Sequence, residues 1–280
     1  MRKLLSLVIL LAAAATGSAQ VQGVNYPAKK MFPFIGDPGM RMYFVPGGTF
    51  TMGATPEQQG AECDENPTRV VEVEDLYVCE TEITQEQWEK VGGDKAVRDL
   101  WTSEQGLGDK YPVYGLSYEQ ALEFVNKMND FTHNTHPFRL PTEAEWEYIA
   151  RGGQSATGTR YSGSDAIKDV AWYIETSQGA AAQEVKKLLP NPLGVYDMSG
   201  NVSEMCDSWY EPCNNAVSDP KTALGIVTRG GSYASNPEQC RTAYRGFYLP
   251  GGKGEKTVGI RLVISAKDIM PGFEEYYAEE

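Results

Sequence analysis

The sequence predicts a loop-rich α+β fold with a few helices and small antiparallel sheets. Helix and strand signals are short and irregularly mixed along 280 residues, and 29 glycines and 16 prolines separate them. The composition, 41% hydrophobic and 22% charged, is typical of a globular protein with a real core. Residues 41–266 contain no repeat and no low-complexity break, so one domain over this range is predicted.

Strand signals lie near both ends of this domain. Short runs rich in β-branched and aromatic residues are bounded by Gly, Pro, Asn and Asp, which is typical of strands between turns. The predicted strands are Met42–Val45, Arg69–Val73, Val227–Arg229 and Gly259–Ile264.

Capping boxes predict three helices between these strands. Thr84 with Gln87, Ser117 with Gln120 and Thr142 with Glu145 each fit the pattern in which two side chains satisfy each other's backbone amides. The second helix has Ala121, Val125 and Met128 on one face, which predicts that this face packs on the core.

The N-terminus resembles a secretory signal peptide, predicted to be residues 1–19 with cleavage after Ala19. Arg2 and Lys3 precede an apolar run and then small residues. A membrane anchor is the alternative, although the run is shorter than the ~20 residues that a span needs. Residues 20–40 are predicted to be an extended lead-in, and 267–280 a solvated acidic tail. The mature chain is therefore predicted to be exported, without a transmembrane segment, to the periplasm, cell surface or medium.

The net charge argues against one class of partner. It is −13 at pH 7, and a surface this negative repels phosphate backbones, so nucleic acid is not expected. Hard cations such as calcium suit it better.

The five cysteines, an odd number, are Cys63, Cys79, Cys206, Cys213 and Cys240. In an exported chain they permit two disulfides and leave one thiol. Spacing allows Cys206 with Cys213 and Cys63 with Cys79. The only histidines, His133 and His136, lack a third metal ligand nearby and are predicted to lie on a surface loop.

Five motifs in order resemble the sulfatase-modifying-factor family, whose namesakes are formylglycine-generating enzymes. They are FVPGGTFTMG (44–53), FRLPTEAEWEYIARGG (138–153), LGVYDMSGNVSEMCDSWY (193–210), RGGSY (229–233) and TVGIRLV (257–263). The resemblance implies a variant of the C-type-lectin fold. It also implies two candidate functions, a copper-dependent oxidase of sulfatase cysteines or a binding module.

In the oxidases two cysteines five residues apart hold copper(I) after the GGS segment. This sequence places Ser235 at the first position and Cys240 at the second. A hydroxyl is a poor ligand for copper(I). Ser232 matches a serine of the active-site segment, so Cys240 and Ser232 are the catalytic candidates if the chain is an oxidase. Ser203 and Met205 replace two tryptophans, one of which lines the substrate groove. The resemblance also implies a Cys206–Cys240 bridge or buried pair.

The same resemblance implies a structural calcium site in the 193–210 loop. Its ligands would be the side chains of Asp197 and Glu204 and the carbonyls of Gly200 and Val202, since calcium favours hard oxygen donors.

The sequence thus favours an exported binding or assembly module for a protein or peptide, stabilised by calcium. Its contact residues are predicted to be Ser203, Met205, Tyr233, Ser235 and Asn236, beside Ser232. The alternative is the copper oxidase, whose partner would be a sulfatase.

Overall fold

Short strands with buried faces build two four-stranded sheets and two strand pairs. The computed structural model describes residues 39–212 and 223–269. The strands are β1 Met42–Val45, β2 Gly48–Met52, β3 Arg69–Val73, β4 Leu76–Cys79, β5 Phe138–Arg139, β6 Ala171–Trp172, β7 Ser199–Gly200, β8 Ser203–Tyr210, β9 Gly225–Arg229, β10 Gly246–Tyr248, β11 Val258–Gly259 and β12 Val263–Ser265.

The first sheet has the order β1-β4-β12-β5, and all of its neighbours are antiparallel. The second has the order β10-β9-β8-β11, in which β8 and β11 are parallel. β2 pairs with β3 in antiparallel register, whereas β6 and β7 are parallel. The predicted mixed α+β, loop-rich fold is confirmed, but two of the strand pairings are parallel.

All three predicted capping boxes begin helices. Thr84, Ser117 and Thr142 each accept a hydrogen bond from the amide three residues later. The helices are α1 Gln85–Val91, α2 Lys95–Arg98, α3 Tyr118–Phe131, α4 Glu143–Arg151 and α5 Ile167–Val170.

The core lies between α1, α3 and the two sheets. Trp88 of α1 stacks on Phe124 of α3 with ring centroids 4.5 Å apart. Ala121, Val125 and Met128 are buried as predicted. A second cluster forms around Trp146 of α4, and a third, smaller one contains Tyr161, Tyr173 and Cys240.

Some predictions lie outside the described residues. These are the signal peptide, most of the lead-in, Cys213 and residues 270–280 of the tail. Lys267 and Asp268, which begin the predicted tail, are exposed, whereas Ile269 is buried against the main core. Within the described ranges, no helix is both long and apolar enough for a membrane span.

The three predicted disulfides are wrong. Cys63 is disulfide-bonded, whereas Cys79, Cys206 and Cys240 are buried free thiols. This excludes bridges from Cys206 to Cys240, from Cys206 to Cys213 and from Cys63 to Cys79.

Candidate functional site

Buried arginines lock α4 against β9 and the segment that follows it. Arg229 bonds Glu143 at 3.1 Å and also pairs with Glu147. Arg245 reaches Glu143 from the other side, at 2.6 Å. Glu143 and Glu147 are one helical turn apart, so they share a face and converge on one cation. Glu145 points elsewhere and pairs with Arg139 at 2.6 Å, so this acidic run is a structural anchor.

A cleft of about 290 Å³ opens where this anchored region meets the second sheet. Its wall contains five serine and threonine side chains, those of Ser203, Thr228, Ser232, Ser235 and Thr257. Aromatic groups form another part of the wall. Tyr210 stacks on Phe247 with ring centroids 4.8 Å apart, and Tyr244 lies on the same wall. The cleft thus combines hydroxyl groups and flat aromatic surfaces with two charged side chains, Arg245 and Glu255.

Ser232 and Ser235 are fixed by hydrogen bonds to each other. The Ser232 amide donates to Ser235 Oγ at 2.9 Å, and the two hydroxyl oxygens are 3.2 Å apart. Ser232 Oγ also accepts from the Ala234 amide at 3.3 Å. These bonds hold both hydroxyls at the cleft wall. Neither serine has a histidine or carboxylate among its hydrogen-bond partners described here, so neither is activated as a nucleophile.

Cys240 does not line the cleft. Its side chain is fully buried in the small cluster with Tyr161, Tyr173, Val170 and Ala171. Burial raises the pKa of this thiol to about 12, and the nearby Glu238 adds to the effect. The group is therefore a protonated thiol at neutral pH, whereas the thiolate is the nucleophile and metal ligand.

Gly231 explains how Cys240 is enclosed. Its φ is +69°, and an added Cβ would lie 2.6 Å from the Gln239 carbonyl oxygen and 3.0 Å from Cys240 Sγ. Only glycine allows the chain to pass this close over the sulfur. The segment that faces the cleft therefore separates the cleft from the thiol.

The predicted contact residues divide into three groups. Ser203, Ser232 and Ser235 line the cleft. Met205 and Tyr233 do not, because both are buried in the main core, with exposures of 0% and 5%. Asn236 is exposed and caps the short helix Pro237–Cys240 by accepting from the Gln239 amide.

Sequence reasoning missed much of the cleft. Tyr210, Thr228, Phe247 and Thr257 come from different strands and loops. Tyr210 lies inside the 193–210 motif and Thr257 inside the 257–263 motif, so membership of a motif was the available signal. Thr228 and Phe247 are brought together by the antiparallel pairing of β9 with β10.

The four predicted calcium ligands do not fit a calcium ion as they are arranged. Both Glu204 oxygens accept from Arg261, at 2.7 to 3.0 Å, and one also accepts from Trp146 Nε1 at 2.6 Å. Asp197 accepts from the Lys186 amide at 2.7 Å. The Arg261 guanidinium therefore occupies the position beside Glu204 that a calcium ion would need. In the described ranges, no group of three or more His, Cys, Asp or Glu side chains is arranged to hold a metal.

The surroundings of Arg261 are nonetheless rich in buried carboxyl groups. Burial raises the pKa of Glu82 well above its usual range, and the neighbouring Asp197 adds to this. Burial also raises the pKa of Asp197, to about 6. Protonation is one route by which excess acids are accommodated around a single buried cation.

Both histidines were predicted to lie on a surface loop, and this is correct for only one of them. His133 is exposed, but His136 is fully buried. Its Nδ1 lies 2.8 Å from Thr135 Oγ1. Desolvation lowers the pKa of His136 to about 4.

Known proteins that are similar to this chain support this fold, but their names indicate different activities. The chain is 28% identical over 264 residues to "Chaperone protein LppX" of Paenibacillus barcinonensis, covering 76% of this chain and 87% of that protein. It is 32% identical over 162 residues to the formylglycine-generating enzyme of Streptomyces coelicolor, covering 50% and 48%. The solved structure of Treponema denticola variable protein 1 superposes with a TM-score of 0.67 at 26% identity, covering 81% of this chain and 95% of that one.

The family model described as "Sulfatase-modifying factor enzyme 1-like domain" matches residues 29–266. This range includes every strand of the described residues and the lining of the cleft. The chain therefore belongs to the family of sulfatase-modifying factor enzyme 1-like domains.

Proposed function

We propose that this protein is an exported binding module that holds an extended segment of a partner protein in its cleft and performs no copper oxidation. The observation on which this rests is the site of Cys240. Its thiol is buried outside the cleft, and a serine occupies the other copper position.

Copper chemistry of the oxidase type needs two thiolates at one accessible site, because soft sulfur ligands select copper(I). Ser235 supplies a hard hydroxyl that is already bonded to Ser232. Cys240 supplies a single thiol, which is buried outside the cleft. Neither residue offers what a cuprous ion and an incoming substrate thiol would require.

A peptide ligand is supported by the edge of the second sheet. β10 is the last of the described strands in that sheet, and it borders the cleft through Gly246 and Phe247. Phe247 is 45% exposed and Leu249 is 59% exposed. An edge strand offers backbone groups to an extended chain, and neighbouring apolar side chains select what binds. The relative named a chaperone favours a protein as the ligand.

Export is proposed on the N-terminal sequence, whose basic start, apolar run and small residues fit a signal peptide. An exported binding module can act in the periplasm, on the cell surface or in the medium. A sulfatase is one partner that the family similarity makes testable.

The oxidase alternative is tested with a synthetic peptide that contains Cys-x-Pro-x-Arg, supplied with copper and oxygen. We expect no aldehyde product by mass spectrometry. The control is Cys240→Ala. Turnover by the natural chain that disappears in this variant would establish the oxidase and overturn the proposal.

Peptide binding is tested by selecting a displayed library of random 12-residue peptides on the purified protein. We expect enriched sequences, and the synthetic versions should bind at least tenfold more weakly to Phe247→Ala. The matched control is Val70→Ala, since Val70 is 74% exposed but lies on the β2–β3 hairpin away from the cleft. Equal weakening by both variants, or no enrichment, would contradict a cleft-binding role.

A further inference from the structure

Three sulfur atoms meet beside the first sheet, away from the cleft. Cys79 Sγ lies 3.2 Å from Met40 Sδ and 3.3 Å from Met42 Sδ. Met42 is the cross-strand partner of Cys79 in the β1–β4 pair, so their side chains share one face. Met40 lies two residues before Met42, outside β1, and its sulfur contacts Cys79 directly.

The three sulfurs are shielded but not sealed off. Met40, Met42 and Cys79 are 5%, 1% and 2% exposed. Met40 and Cys79 line a cavity of about 260 Å³. The charged side chains of its wall are three carboxylates and three cations, namely Glu80, Glu86, Asp109, Arg41, Lys110 and Lys186. The wall is therefore close to neutral and does not repel a small monovalent ion.

The donor set is chemically selective. Thioether and thiolate sulfur favour copper(I), whereas hard ions prefer oxygen. One thiolate and two neutral thioethers around a monovalent ion give a site with no net charge. Such a site costs far less to bury than an isolated ion.

We infer that Met40, Met42 and Cys79 form a binding site for a single cuprous ion. On binding, the S–H bond of Cys79 breaks, a sulfur–copper bond forms and the proton passes to water. Copper stays monovalent and no electron is transferred. A coordinated thiol is deprotonated by its metal.

The site needs a small adjustment to accept an ion. Sulfur ligands lie about 2.3 Å from a d¹⁰ ion such as zinc, so three around one ion would be roughly 4 Å apart. The sulfurs must therefore separate by less than about 1 Å. Unbranched methionine side chains with three rotatable bonds permit this.

The test is an anaerobic titration of the full-length protein with copper(I), kept reduced by ascorbate and competed by bicinchoninate. We expect one equivalent of tightly held copper, about one proton released per ion, and sulfur-only ligation by X-ray absorption. Met40→Leu and Met42→Leu conserve volume and should each weaken binding about tenfold. Cys79→Ser should weaken it at least a hundredfold.

Cys240→Ser is the matched control, because Cys240 is also a buried free thiol with its pKa raised to about 12. It should bind copper like the natural chain. Copper binding that survives Cys79→Ser, that is lost in Cys240→Ser, or that shows nitrogen or oxygen ligation would overturn the inference. The peptide experiments depend on cleft residues, whereas the copper titration depends on residues outside the cleft. A negative result for one proposal therefore leaves the other standing.

Discussion

Arg229 is the residue on which the packing of α4 against the second sheet depends most. Its guanidinium is fully buried and bonds both Glu143 and Glu147. Two further bonds reach the carbonyls of Thr242 and Ala243, at 2.7 and 3.2 Å. The arginine thus satisfies two carboxylates and two carbonyls that water cannot reach.

Replacing Arg229 with methionine should lower the free energy of unfolding by about 3–5 kcal/mol, because it breaks two buried ion pairs and leaves two buried carbonyls without their donor. Urea unfolding at pH 7 measures this as a shift of the midpoint at constant slope. The control is Lys267→Met, which removes an exposed pair with Glu74 and should cost less than about 1 kcal/mol. Equal losses of unfolding free energy in the two variants would mean that the buried ion pairs of Arg229 stabilise the fold no more than an exposed pair does.

His136 gives the chain a measurable pH dependence. Its pKa falls to about 4 in the folded state because of desolvation, against about 6.5 in an unfolded chain. The folded protein therefore favours the neutral ring. The resulting stability is fully present above about pH 6.5 and is lost as the pH falls towards 4, amounting to about 2 kcal/mol by pH 5.

Carbon-bound proton signals of the imidazole rings test this directly. His133→Gln leaves one histidine signal, which should titrate near pH 4. In His136→Gln, the loss of stability between pH 7 and pH 5 should shrink by about 2 kcal/mol relative to His133→Gln. A His136 ring that titrates near 6.5 in the folded protein would contradict the assigned burial.

At the scale of elements, the long helix α3 should depend on its cap. Ser117 Oγ accepts from the Gln120 amide at 3.2 Å, and the Gln120 side chain accepts from the Ser117 amide at 2.9 Å. Ser117→Ala should cost about 1 kcal/mol. Ser103→Ala, in an exposed turn, is the control and should change stability by under about 0.5 kcal/mol. Chemical denaturation compares the two, and a neutral Ser117→Ala would mean that packing alone holds this end.

These caps also show which elements could be predicted. A capping box involves four consecutive residues, so the starts of α1, α3 and α4 could be read from the sequence alone. The bounds of β1 and β3 were also predicted correctly. The single strand predicted over 259–264 is instead divided into β11 and β12, because Arg261 between them turns inward to Glu204 and the Cys79 carbonyl.

The cleft was only partly predictable for a related reason. Ser203, Ser232 and Ser235 were found through motifs that the family shares. Met205 follows Ser203 by two residues, but it lies in the core cluster that also contains Tyr233. What covers a strand face is decided by residues far away in the sequence, and the parallel β8–β11 pairing is equally non-local.

At the scale of the whole molecule, buried arginines pair with buried glutamates. Arg229, Arg241 and Arg261 are each fully buried against glutamates. Buried carboxyl groups outnumber these arginines around Arg261, where burial raises the pKa values of Glu82 and Asp197. The hydrogen bonds from Arg261 to both Glu204 oxygens are the physical reason to expect no calcium at the 193–210 loop.

Calcium chelation should therefore leave the melting temperature of the purified protein unchanged. An ion present at 100 times its dissociation constant adds about 2.7 kcal/mol. In a domain of this size that corresponds to roughly 5–10 °C. Thermal unfolding with excess EGTA, compared with excess calcium chloride, distinguishes the cases. Since Arg261 already bonds both Glu204 oxygens, we expect the two curves to coincide. A drop of several degrees in EGTA that calcium reverses would show that the loop binds the ion by moving Glu204 away from Arg261.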